Sequence, residues 1–183
     1  MKLSLHEHPE GVQTAEGAQI TYDLAGNEAH LGAARVEGPA VVFALTDEEP
    51  PDAALSAEVE LDPETDWVIR CDRVDFPPGA VAFRHTHPGP GIRRLLLGEL
   101  TIDAPGHLQS HGAGESWFEG ADYPVLATAS EAEGAAFVRV LLLPAEWAGK
   151  RTVRYSDPAD DEKPKLQRAT ILLEEPLPRT LGA

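Results

Sequence analysis

The sequence predicts an all-β fold, and three observations carry that prediction. Sixteen glycines and sixteen prolines punctuate the 183 residues, leaving few stretches long enough for a stable helix. The apolar runs between them are strand-sized: Ala40–Leu45 is continuous, Ala136–Leu143 is broken only by Arg139, and Leu55, Ala57, Val59 and Leu61 alternate with polar residues. These runs recur at short spacing with turn residues between them, the pattern of a sandwich or barrel.

Taken in order, residues 1–35 are polar and Gly-rich, with one strand expected at Gln19–Leu24 in a peripheral hairpin or arm. Residues 40–45 read as a buried strand, and the acidic TDEEPPD run, with Asp47–Glu49, as a solvated loop. Leu55–Leu61 reads as a strand with one apolar face. Asp66–Val74 is a further strand, and Phe76-Pro77-Pro78-Gly79 a turn. Strands are then expected at Ala80–His87, Arg93–Leu97, Glu99–Ile102, Glu115–Phe118, Val125–Thr128 and Ala136–Leu143. Gly-rich turns fall at Pro88–Gly91 and Ala104–Gly106. Trp147 closes this region, Ala148–Lys165 reads as a charged surface loop, Leu166–Leu173 as a last strand and Glu174–Ala183 as a Pro-rich tail. No internal repeat and no second core emerge. The expected organisation is one domain: an arm with peripheral strands over 1–65, a barrel core over 66–147 and an extension over 148–183.

Composition narrows the function classes. A net charge of −16 repels phosphate backbones and anionic membrane surfaces, so neither nucleic acid nor a bilayer is an expected partner. The longest apolar runs are far too short to cross a membrane, and MKLSLHEHPEG lacks the apolar core of a signal peptide. The lone cysteine, Cys71, lies in a strand pattern, where a buried, inert thiol in a reducing compartment is expected. A cytoplasmic protein is the expectation. The sequence holds no Gly-rich phosphate loop, nucleophile elbow or Cys-x-x-Cys pair.

The chemistry-bearing stretch is Gly79–Leu100, around His85-Thr86-His87. On a strand, side chains alternate, so these two imidazoles share a face and could grip one metal ion. His6 and His8 repeat the spacing near the terminus, and His30 and His107 lie in polar turns; all four are expected to be exposed. Asp160, Asp161 and Glu162, within the charged run Asp157–Lys165, read as solvated charge.

The wider spacing resembles the cupin family, whose first motif is G-x5-H-x-H-x3-E-x6-G. Gly79, His85, His87 and Gly98 stand at the matching positions, and Gly91 stands where the metal-binding glutamate belongs. The second motif, G-D-x4-P-x-G-x2-H, opens at Gly114-Glu115 and continues through Trp117-Phe118. Then it departs: Gly120 replaces the proline, Asp122 the glycine and Val125 the last histidine. Glu99–Ala113 separates the two motifs, a typical cupin length, and the resemblance covers about residues 66–143. It implies a double-stranded β-helix related to the jelly roll, and a pocket that in relatives holds Fe, Mn, Ni or Zn on three histidines and a glutamate. It also implies a homodimer, because such barrels have sheet edges to cover.

Two of the four ligands are absent, so either other groups complete the shell or no metal is held. Strand parity makes Glu119 the best substitute carboxylate and His111 a further inward candidate. The same parity turns Arg93 inward, where it favours a carboxylate-bearing ligand over a cation. Phe83 and Trp117 are expected to line the pocket with it. Two readings follow: a cupin binding a small organic acid in an atypical or degenerate metal site, and a metal-dependent dioxygenase-type enzyme using His85 and His87.

Overall fold

The computed structural model of the chain describes residues 1–48 and 51–178, so Glu49 of the acidic run and residues 179–183 of the expected tail lie outside the described residues. The first part supplies β1 (Lys2–His8), β2 (Val12–Gln13), β3 (Gln19–Asp23), β4 (Glu28–Leu31), β5 (Arg35–Val36), β6 (Ala40–Thr46) and β7 (Leu55–Glu58). The rest supplies β8 (Trp67–Phe76), β9 (Val81–Thr86), β10 (Gly91–Ala104), β11 (His107–Gly112), β12 (Ser116–Glu119), β13 (Val125–Ala129), β14 (Ala135–Pro144), β15 (Arg154–Tyr155) and β16 (Arg168–Pro176). The all-β class expected from the sequence holds. No helix among the described residues is long and apolar enough to cross a membrane.

Residues 1–35 correct the expectation of a peripheral arm. β1 and β3 flank β6 in a five-stranded antiparallel sheet, β4-β3-β6-β1-β7. Its apolar residues are sparse, but Leu3, Leu5, Ile20, Tyr22, Val41 and Phe43 are all at most 1% exposed. They pack against Ile69, Cys71, Ile92, Val138, Val140 and Leu142 from the second sheet. Covering apolar surface on both sides is what holds these layers together. Cys71 is buried there as expected, and burial pushes its thiol pKa far up, which keeps it unreactive.

The second sheet curls around a cavity because β10 belongs to two layers. Its first half pairs with β14 and β12, and its second half with β13 and β11. The expected pair of short strands, Arg93–Leu97 and Glu99–Ile102, is thus one strand of 14 residues with a register shift between Leu95 and Leu97. Gly98 makes the bend possible. Its φ is +73°, and a Cβ there would stand 2.1 Å from the Gly134 carbonyl oxygen. One layer then runs β12-β10-β14-β8-β16 and the facing layer β11-β10-β13-β9-β15. β11 is an element the sequence pattern does not announce, because five of its six residues are exposed or half-buried and its single large apolar residue, Leu108, faces solvent.

Beyond β14 the chain returns over the cavity mouth. The segment expected to be a plain surface loop contains β15 and a 3₁₀ turn, Pro158–Glu162, capped by the Asp157 carboxylate accepting from the Ala159 N–H at 2.9 Å. The final strand, β16, starts two residues and ends three residues beyond the expected Leu166–Leu173 and forms an outer edge on β8.

Candidate functional site

The cavity lies between the two layers and encloses about 510 Å³. Most of its wall is apolar, with Val74, Phe76, Leu100, Ile102, Val125 and Phe137 prominent. Against this wall stands one contiguous polar patch: His85, His87, Arg93, Glu119 and Arg139.

His85 and His87 do face the interior together, with ring centroids 5.0 Å apart and planes at 87°. The strand reaches them through a bulge. Val125 opposes His85 and Ala127 opposes Ala82, so Phe83 and Arg84 together face the single residue Leu126. The extra residue turns Phe83 out of the cavity, where the Lys163 ammonium stands 4.7 Å from its ring centroid. Phe83 therefore does not line the pocket, which corrects the strand-parity expectation. The bulge has a second effect: the Phe83 carbonyl accepts a hydrogen bond from His85 Nδ1 at 2.7 Å. A carbonyl can only accept, so the proton sits on Nδ1 and the Nε2 lone pair is directed away from the strand.

His87 is held differently. Its Nε2 lies 3.1 Å from Arg139 Nη1, and its Nδ1 lies 3.0 Å from the Thr152 hydroxyl. A guanidinium only donates, so Nε2 accepts and Nδ1 donates to Thr152. Arg139 is fixed from behind by Asp72, whose Oδ2 accepts from Nε at 3.1 Å and from Nη2 at 2.9 Å. Burial lowers the pKa of both histidines; for His87, pushed well down, the Arg139 charge is the next cause.

Arg93 and Glu119 point inward as parity predicts. Glu119 is 6% exposed, accepting from Trp117 Nε1 at 2.8 Å and lying 2.7 Å from Arg93 Nη2. That last approach is off the N–H direction, which leaves Nη2 without an aligned hydrogen bond. Arg93 Nη1 donates to the Gly91 carbonyl at 2.6 Å, and burial brings the guanidinium pKa down to about 10, so it stays charged at neutral pH. Trp117 lines the cavity, edge-on to Phe137.

His111 is buried but stands apart from the other two imidazoles. It stacks on the Trp117 indole at 4.6 Å and lines a second hollow with His107, Gln109 and Tyr123. Among the described residues, no three His, Cys, Asp or Glu side chains converge as metal ligands. The position that the resemblance assigns to a glutamate is closed as well. A Cβ on Gly91 would stand 2.3 Å from the Val140 carbonyl oxygen. Val125, where the last histidine would be, lines the cavity beside His85.

Sequence reasoning missed Arg139, Asp72 and Thr152. For Arg139 there was a signal, a single charge inside an otherwise apolar buried strand, whereas Asp72 is one of four charged residues of β8 and is placed directly opposite Arg139 only by strand pairing. Thr152 had none, because it reaches the site from a segment that reads as a loop. The same segment brings Arg151, Lys163 and Lys165 to the mouth, an accumulation of cations in a chain of net charge −16. Arg151 pairs with Asp161 at 2.9 Å and Lys163 with Asp160 at 2.5 Å, so two of the three acidic residues engage these cations.

No protein-family model matches the sequence, and no curated protein matches it either. Solved structures similar to this chain include proteins named as cupins. An RmlC-like cupin from Shewanella frigidimarina is 15% identical over 49% of this chain and 94% of its own, with a TM-score of 0.39. A cupin protein from Bacteroides fragilis is 17% identical over 49% of this chain and 84% of its own, with a TM-score of 0.38. The polyketide cyclase RemF from Streptomyces resistomycificus is 20% identical over 55% of this chain and 67% of its own, with a TM-score of 0.40. Likenesses of this size carry over no ligand and no reaction, and those must be argued from the cavity.

Proposed function

We propose that this chain is a small-molecule-binding cupin that takes a small organic acid into its barrel without a metal ion. The observation that carries the proposal is the bond from Arg139 Nη1 to His87 Nε2. The lone pair a metal ion would need is committed to a guanidinium, and that guanidinium is anchored by Asp72. A divalent cation at His85 and His87 would have to displace one buried positive charge and sit beside a second, Arg93. The residues do not fit such an ion. They fit an anionic group at the polar patch and an apolar body against the wall.

Calorimetry on tag-free protein tests this, with 3-phenylpropionate and Ni²⁺ as separate probes. The carboxylate is expected to bind equally well with and without EDTA, and Ni²⁺ to show no stoichiometric binding. Arg139→Gln should weaken the carboxylate by about 10- to 100-fold, the worth of a hydrogen bond to a charged group. It should also uncover Ni²⁺ binding, because the His87 lone pair is released. Full metal occupancy in the unaltered protein would overturn the proposal in favour of a metal-dependent, dioxygenase-type enzyme.

A further inference from the structure

The two arginines in the cavity are not equivalent. Arg93 has its counter-ion, Glu119, inside the cavity wall, where it would repel a second carboxylate. The counter-ion of Arg139, Asp72, stands behind it and does not line the cavity. Three N–H groups of Arg139 are used by Asp72 and His87, and a guanidinium carries five, so two remain for a ligand. The positive face open to the cavity is therefore that of Arg139.

Next to it stands an acceptor of fixed direction. His85 spends its Nδ1 proton on the Phe83 carbonyl, and no partner occupies its Nε2 among the described hydrogen bonds. The ring is 7% exposed, and it lies one imidazole away from the Arg139 guanidinium, since His87 touches both. An acceptor open to a largely apolar cavity is matched by a ligand that supplies a donor there.

We infer that the site reads a pair of oxygens: a carboxylate on the free N–H groups of Arg139 and, beside it, an O–H donated to His85 Nε2. The inference rests on the organic-acid reading above and narrows it to hydroxy acids or enolic acids with an apolar body. Such a ligand satisfies both exposed functions of the patch at once, and its body fills the wall of Val74, Phe76 and Phe137.

The test compares 3-phenyllactate with 3-phenylpropionate, which differ by the single hydroxyl next to the carboxylate. Calorimetry on the full chain in EDTA is expected to show the hydroxy acid binding about 10-fold tighter, the worth of one hydrogen bond. His85→Phe keeps a ring but no acceptor, so the ratio of the two affinities, read within the one variant, should fall to about one. His85→Gln returns an acceptor and should restore part of the ratio, which a merely structural role would not do. A ratio of one in the unaltered protein overturns the inference, and so does a ratio that survives in His85→Phe. In both cases the organic-acid reading stands; if 3-phenylpropionate itself does not bind, that reading falls and this inference falls with it.

Discussion

The two faces of β14 do different work with one sequence of ten residues. Val138, Val140 and Leu142 point away from the cavity and complete the apolar layer against the N-terminal sheet. Phe137 and Arg139, one residue out of step, point into the cavity. The outer face is held by burial alone, which tolerates any shape-matched apolar neighbour. The inner face holds charges that are stable only as a connected set: Asp72, Arg139, His87 and Thr152 in one chain, Arg93, Glu119 and Trp117 in another. Fold stability is thus drawn from one side of the strand and recognition from the other.

The largest effect should come from breaking the inner set. Asp72→Ala leaves the Arg139 guanidinium buried without its carboxylate, and urea unfolding is expected to show a loss of about 3–5 kcal/mol. Replacing the pair together, Asp72→Leu with Arg139→Met, should recover most of that loss while abolishing carboxylate binding. On the outer face, Leu142→Ala should cost about 2–5 kcal/mol through its cavity and leave ligand affinity unchanged. If the double variant were as unstable as Asp72→Ala, the buried charges would be sustaining the fold itself, and the division between the two faces would fail.

This division explains what the sequence disclosed. The inward pair of histidines, Arg93, Trp117 and Glu119 were legible because strand parity and motif spacing act locally, and β9, β10 and β12 keep those rules over the residues concerned. The barrel strands were legible for the same reason. The N-terminal sheet was not, because Leu3, Leu5, Ile20 and Tyr22 are sparse among polar residues, and only pairing with β6 assembles them into one face. Phe83 was misplaced by one residue of bulge, which no periodicity records. Arg139 with Asp72 joins residues 67 positions apart, and a lone charge in an apolar strand signals burial without naming its partner.

A smaller effect should separate the faces by pH. Both histidines are held neutral by burial, with pKa values below the ordinary 6.5. Their unfolded counterparts gain protons first as the solution is acidified. The stability that depends on their neutrality is therefore whole above about pH 6.5 and is lost as pH falls below it, by up to about 1.4 kcal/mol per pH unit for each group. His87→Gln removes one of these groups, so its stability should fall less steeply between pH 6.5 and 5 than that of the unaltered protein. Leu142→Ala, on the other face, should be shifted down without a change of slope. Parallel slopes in all three proteins would mean that the imidazoles are not kept neutral by the inner set.

The smallest effect is expected two residues from the largest concentration of chemistry. Phe83 precedes His85 by one bulge and presents its ring outward under the Lys163 ammonium. Phe83→Ala removes that contact at a half-buried surface position, where a cation over a ring contributes about 0.5–1 kcal/mol. It leaves the Phe83 carbonyl in place, so the His85 ring keeps its anchor and its tautomer. Carboxylate affinity should then stay within about twofold of the unaltered protein, read by the same calorimetry that registers Arg139→Gln. A loss of affinity like that of Arg139→Gln would put the Phe83 ring inside the cavity. It would also mean that β9 runs through His87 without a bulge, with Phe83, His85 and His87 on one face as simple alternation has it.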